Sequence, residues 1–111
     1  MARHKQYFKW EVPATVVTLV KAYCNDYDRR VKIINNPNTS PEIAQNFREF
    51  NLAIDTALMD IEPGLRSALL TDIQIGRGFD ASPIAPFLAK NTYYARKRKL
   101  IHDIAVGLHL I

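Results

Sequence analysis

The sequence predicts an all-α protein, a bundle of about five helices. Apolar residues recur at spacings of three and four through most of the 111 residues, the period of a helix with one buried face. Proline and glycine occur in short groups between these stretches, where helices begin or end. The sequence contains no pair of alternating runs joined by a tight turn, which a β-hairpin would require.

The first third of the chain is predicted to contain an arm and a long helix. Residues 1–12 mix basic and aromatic side chains without a helical period, which indicates a basic-aromatic N-terminal arm. Pro13 suits the first turn of a helix, and apolar residues then recur from Val16 to Ile34. One amphipathic helix is therefore expected over about residues 13–34. The arm could contact DNA or a membrane surface, but docking of its aromatic side chains onto the core is favoured, since chain ends are poorly ordered unless tied down.

Two further helices are predicted in the middle of the chain. Ser40 or Thr39 caps a second helix, which extends to about residue 61. A third helix runs over about residues 63–75. The segment 76–78, Gly-Arg-Gly, ends it, because glycine accepts the positive φ that follows many helices. Together with the first helix, these elements form a helical body, which is also a hypothetical dimerisation region (residues 13–78).

Residues 79–111 are predicted to form a C-terminal helix-turn-helix module. Pro83 is placed to begin a short helix, and Pro86 limits that helix to about two turns because proline is tolerated only in the first turn. Asn91 is expected to cap a final long helix over about residues 91–107. The inward stripe of that helix comprises Tyr93, Lys97, Leu100, Ile101, Ile104, Ala105 and Leu108.

Composition narrows the class of protein. The mass of 12.7 kDa fits one domain, and 48% hydrophobic residues are enough for one core without a disulfide or a metal. A single cysteine excludes an internal disulfide and favours a reducing compartment. No apolar run reaches the ~18 residues of a membrane span, and no apolar segment of a secretory signal follows the start. The expected location is the cytoplasm, with no membrane partner.

The net charge of +4 lies entirely in residues 90–111, which hold five Lys/Arg and one Asp. Concentrated positive charge attracts polyanions, so nucleic acid is the first partner to consider. A recognition helix reads base edges with its N-terminal residues, while its later turns anchor it. The candidates for base contact are Asn91, Thr92, Ala95, Arg96 and Lys99. The candidates for phosphate contact are Lys90, Tyr94 and Arg98, with Arg77 in a lesser role.

The terminal residues also resemble a known family. Residues 84–94 and the following 96–105 resemble the end of sigma-region-4-like helix-turn-helix domains. Over residues 14–111 the chain resembles the phage-encoded RinA/ArpU-type transcriptional regulators, whose terminal module reads T-[FY]-Y-x-x-[KR]-[KR]-x-x-[LI]-x-x-[IL]-A-x-x-L. The matching residues are Thr92, Tyr93, Tyr94, Lys97, Arg98, Ile101, Ile104, Ala105 and Leu108. The resemblance implies a phage or prophage protein that binds double-stranded DNA and activates late or lytic genes, with RNA polymerase as a further candidate partner.

Other residue clusters do not predict catalysis. His102 and His109 are seven residues apart and lack a third ligand nearby, and Cys24 has no histidine in a nucleophile pattern. We therefore expect no enzyme activity, no cofactor and no metal. The alternative function is a non-enzymatic helical adaptor or phage assembly protein, in which the basic patch binds an acidic protein partner.

Overall fold

The computed structural model of the chain describes residues 10–111, so residues 1–9 of the predicted arm lie outside the described residues. Within residues 10–111 the chain forms five α-helices and two three-residue 3-10 helices and has no strand, which confirms the all-α prediction. The α-helices are α1 (Ala14–Asn25), α2 (Tyr27–Asn35), α3 (Pro41–Leu58), α4 (Pro63–Ile75) and α5 (Lys90–Gly107). The 3-10 helices are Phe79–Ala81 and Ala85–Phe87.

The predicted single helix over residues 13–34 is wrong, because the chain breaks into α1 and α2 at Asp26 (φ −91°, ψ 1°). The Asp26 carboxylate lies 2.5 Å from Nε of Arg29 and 3.5 Å from Nη1 of Arg30. Arg30 is itself buried, and its Nε donates to Oδ1 of Asn51 in α3 at 2.7 Å. The break thus allows α2 to pack on α3, while α1 packs on α4 and α5.

The signals predicted for the start of α3 and the end of α4 are confirmed. Ser40 is the N-cap of α3, where its Oγ accepts a hydrogen bond from the Ile43 N–H at 3.3 Å, and Pro41 is the first helical residue. Gly76 ends α4 in the left-handed region (φ 72°, ψ 29°). Arg66 closes the α3–α4 turn, because its Nε donates to the Ile61 carbonyl at 2.8 Å.

A single hydrophobic core joins the helical body to α5. α5 packs against both α3 and α1, so the C-terminal segment contributes directly to the same core as the first helices. Fully buried members include Val20, Ile54, Ile61, Leu69, Leu100 and Ile104. No helix among residues 10–111 is long and apolar enough to cross a bilayer.

The segment before α5 differs from the predicted two-turn helix. Pro83 and Pro86 have no N–H to donate, so a continuous ladder of i→i−4 bonds cannot form there. The segment instead makes tighter bonds, such as that from the Phe87 N–H to the Ile84 carbonyl at 3.0 Å, and the 3-10 helix Ala85–Phe87 results. The short-helix prediction is therefore wrong, and the helix-turn-helix is not confirmed.

Candidate nucleic-acid interface

The N-terminal turn of α5 begins one residue earlier than predicted. Ala89 is the N-cap, no side chain caps the helix, and the Tyr93 N–H donates to the Ala89 carbonyl at 2.9 Å. The predicted capping role of Asn91 is therefore wrong, since Asn91 lies within the first turn. Lys90 and Asn91 are both exposed, and the first turn contains no acidic residue. This end of α5 is therefore positive and open to solvent.

A buried polar network fixes the start of α5 to the end of α4. The Tyr93 hydroxyl donates to Oδ2 of the fully buried Asp72 at 2.7 Å, and Nε of Arg77 lies 2.5 Å from Oδ1 of the same carboxylate. Burial, followed by the hydrogen bond to Asp72, raises the pKa of Tyr93. Arg77, a lesser candidate for phosphate contact, instead pairs with a carboxylate inside the protein.

Lys97 completes this network from the inward side of α5, as its place in the predicted stripe indicates. Its ammonium donates to the Arg77 carbonyl at 2.8 Å and lies 5.6 Å from the centre of the Tyr93 ring. Burial lowers the pKa of Lys97, because a charged amine loses hydration there. Lys97 is thus half-buried and holds the Gly76–Gly78 loop against α5.

Tyr94 turns toward the same loop. Its ring packs edge-on against Tyr93 with 5.0 Å between centroids, and its hydroxyl accepts a hydrogen bond from the Phe79 N–H at 3.4 Å. The side chain is half-buried. The hydroxyl that was expected to contact a phosphate therefore has a partner within the protein.

Two of the predicted base-contacting residues face carboxylates on the turn between α3 and α4. Nε of Arg96 lies 2.9 Å from Oε1 of Glu62, and Nζ of Lys99 lies 3.4 Å from Oδ2 of Asp60 and 2.6 Å from Oδ2 of Asp103. The hydrogen bond from Arg96 lowers the pKa of Glu62, and the hydrogen bond to Asp103 raises the pKa of Lys99. Arg96 and Lys99 are therefore paired with carboxylates of the protein, and their side chains are 38% and 28% exposed.

Trp10 covers part of the same side of α5. Its ring meets the His102 ring edge-on with 5.1 Å between centroids, and the Lys99 ammonium lies 5.2 Å from the centre of the Trp10 ring. Docking of an arm residue onto the body is thus confirmed for Trp10. The remaining aromatic residues of the arm, Tyr7 and Phe8, lie outside the described residues.

The eight candidate DNA-binding residues divide into two groups. Lys90 and Asn91 are exposed, and the other six are half-buried: Thr92, Tyr94, Ala95, Arg96, Arg98 and Lys99. Sequence reasoning missed the carboxylates of Glu62 and Asp60, which lie 34 and 39 positions from their cationic partners. No local spacing connects residues so far apart, so the pairs become visible only in three dimensions.

No family model matches the chain, and no curated protein or solved structure is significantly similar to it. Function is therefore inferred from the residues of the α5 surface and their surroundings.

Proposed function

We propose that the chain is a DNA-binding transcriptional regulator that contacts double-stranded DNA with the first turns of α5. The observation that carries this proposal is the run from Lys90 to Lys99, which has five Lys/Arg and no Asp or Glu and begins at an exposed helix end. DNA carries a dense line of phosphates, so a cationic run of this kind gains both attraction and released counterions on binding.

The first turn of α5 offers the most direct contact. Lys90 supplies a mobile ammonium, and Asn91 can donate or accept hydrogen bonds at a base edge. The backbone N–H groups of this turn have no side-chain cap, so a phosphate oxygen can accept hydrogen bonds from them. Phosphate binding at this end would set the register of α5 on the duplex.

The ion pairs between α5 and the α3–α4 turn are compatible with this proposal if Arg96 and Lys99 exchange these carboxylates for DNA phosphates. The carboxylate side chains of Glu62 and Asp60 are 51% and 65% exposed. Ion pairs as exposed as these contribute little to stability because water screens them. Arg96 could therefore leave Glu62 for a DNA phosphate at small cost, and Lys99 could leave Asp60 while it keeps its pair with Asp103. Without DNA, the pairs hold both cations in place.

The resemblance to RinA/ArpU-type regulators supports the transcriptional part of the proposal. It adds three elements: a phage or prophage setting, activation of late or lytic genes, and RNA polymerase as a second partner. A homodimer through the helical body would let two copies read two half-sites, as many small regulators do.

The test is retention of fragments from the genomic neighbourhood of the gene, with competitor DNA and at two salt concentrations. A specific regulator retains one or a few fragments. The Lys90→Ala variant should weaken retention, because it removes an exposed cation from the first turn of α5. Lys32→Ala is the matched control, since Lys32 is an exposed lysine in the last turn of α2. Failure of the wild-type protein to bind any fragment at low salt would exclude the proposal.

The adaptor function is supported by one observation: Arg96 and Lys99 already bind carboxylates within this chain. An acidic partner protein could supply such groups in the same way. Salt-sensitive retention on DNA favours the regulator. Absence of DNA binding, together with binding to an acidic polypeptide such as poly-glutamate, favours the adaptor.

A further inference from the structure

An apolar groove lies between α3 and the C-terminal half of α5, and at one end it adjoins Lys99, the last residue of the basic run. Its volume is about 450 Å³. The lining residues are Glu49, Leu52, Ala53, Thr56, Ala57, Asp60, Asp103, Val106 and Gly107. Two large apolar side chains remain exposed here: Leu52 on α3 at 61% and Val106 on α5 at 48%. Exposed apolar side chains on both walls of one groove are typical of a surface that binds another chain.

The two helices approach closely in this groove. A Cβ atom added at Gly107 would lie 3.1 Å from the Cβ of Ala53, so Gly107 allows α5 to sit against α3. The small residues Ala53 and Gly107 line the groove between Leu52 and Val106. From Glu49 to Ala57 the lining extends along α3 for about 12 Å, at 1.5 Å per residue, which equals about two turns of a docked helix, and Asp60 lies just beyond the end of α3.

The charge of the groove is opposite to that of the whole chain. Glu49, Asp60 and Asp103 lie on its lining, and one cation, Lys99, is shared by the last two carboxylates. The chain as a whole carries +4. A basic partner would gain attraction at both ends of the groove, whereas an acidic partner would be repelled.

We propose that this groove binds a short basic amphipathic helix of a partner protein. Apolar side chains on one face of that helix would pack between Leu52 and Val106, and its Lys or Arg side chains would pair with Glu49 at one end and with Asp60 and Asp103 at the other. This is the helix-in-groove mode of recognition. The proposal does not depend on DNA binding, because Leu52, Val106 and Glu49 lie outside the basic run, although Lys99 of that run contacts Asp60 and Asp103 at one end of the groove.

The test uses two fluorescein-labelled synthetic peptides of about 14 residues. Both carry leucines at the i, i+3, i+4, i+7 spacing, and the other positions are lysine and alanine in one peptide and glutamate and alanine in the other. Fluorescence anisotropy should show saturable binding of the lysine peptide to the full chain, with at least about tenfold weaker binding of the glutamate peptide. Amide shifts in ¹H–¹⁵N spectra should change mainly over residues 49–60 and 103–107.

Leu52→Lys should weaken the binding of the lysine peptide by about tenfold or more, since the substitution removes an apolar wall of the groove and adds a repelling charge. Leu19→Lys on α1 is the matched control, because Leu19 is also an exposed leucine and lies outside the groove. Both variants should keep the helical circular dichroism of the wild-type chain. Equal binding of the two peptides, shift changes outside the groove, or equal losses in the two variants would overturn the proposal.

DNA retention is measured on the same variants. The proposed regulator would retain DNA with either lysine substitution, so loss of peptide binding with intact DNA retention supports the groove alone. Absence of DNA retention in the wild-type chain, with peptide binding intact, would exclude the regulator and leave the groove proposal standing.

Discussion

At the scale of single residues, Cys24 is the clearest case of a group changed by its surroundings. Its thiol lies fully buried near the end of α1, and burial raises its pKa to about 12 although Arg30 acts in the opposite direction. A thiol in this state stays protonated at neutral pH and is a poor nucleophile.

Alkaline pH should destabilise the chain through Cys24. Between about pH 9 and 12 the unfolded thiol loses its proton while the folded thiol keeps it, so the free energy of unfolding falls by up to about 1.4 kcal/mol per pH unit from this group. This contribution is fully present below the unfolded pKa and is lost as pH rises toward 12. Urea unfolding at pH 8, 9 and 10 should show a shallower decline for Cys24→Ala than for the wild-type chain. Parallel declines would contradict the burial of the thiol.

Asp72 shows why the surroundings of a single polar residue were harder to predict from the sequence than the helices were. The sequence places it on a helix with Arg66 and Arg77 as the nearest cationic residues, and a surface ion pair is the ordinary interpretation. The structure instead buries it against Tyr93, 21 positions along the chain, and against Arg77. Its burial depends on the position of the start of α5 beside the end of α4, and that position is set by contacts between residues distant in the sequence.

At the scale of elements, α3 and α4 were predictable because their ends carry local signals. Ser40 and Pro41 begin α3, and Gly76 ends α4, each by chemistry within one turn of the helix. The break at Asp26 was not predictable in this way. The buried Arg30 beyond it depends on Asn51, a partner in another helix. The spacing of apolar residues continues across such a break, so the sequence pattern alone does not reveal it.

Gly76 should be required at the end of α4. Gly76→Ala should destabilise the chain by about 1 kcal/mol or more, because an alanine at φ 72° is strained and its Cβ would meet the Lys21 ammonium. Gly64→Ala is the control: its Cβ would meet nothing within 4 Å, and alanine favours the first turn of α4. Thermal unfolding should show a lower midpoint for the first variant and an unchanged or higher midpoint for the second. The reverse order would contradict the left-handed end of α4.

At the scale of the whole molecule, the position of the excess positive charge was predictable from the sequence, but the carboxylates that pair with it were not. The sequence places the whole excess of +4 in residues 90–111. The fold then brings the α3–α4 turn against α5, so that Glu62 and Asp60 lie beside Arg96 and Lys99. Of the candidate interface, the sequence identified the helix and the exposed residues Lys90 and Asn91. It could not reveal which cations the fold would pair.

The ion pairs that Arg96 and Lys99 make with Glu62 and Asp60 give the sharpest test of how α5 would bind DNA. The double variant Glu62→Gln/Asp60→Asn removes two carboxylates that compete with phosphates for Arg96 and Lys99. We expect its DNA affinity to rise several-fold, mainly through Arg96, because Arg96 no longer has to leave Glu62 before a phosphate binds, whereas Lys99 keeps its ion pair with Asp103. Filter binding at a fixed salt concentration measures the change.

The matched control is Asp28→Asn/Glu42→Gln, which raises the net charge by the same two units through exposed residues in the first turns of α2 and α3. Long-range attraction alone would raise DNA affinity equally in the two double variants. A larger gain for Glu62→Gln/Asp60→Asn would show that Arg96 and Lys99 meet phosphates directly. Equal gains would remove both residues from the interface and restrict contact to the exposed first turn, where Lys90 and Asn91 begin α5.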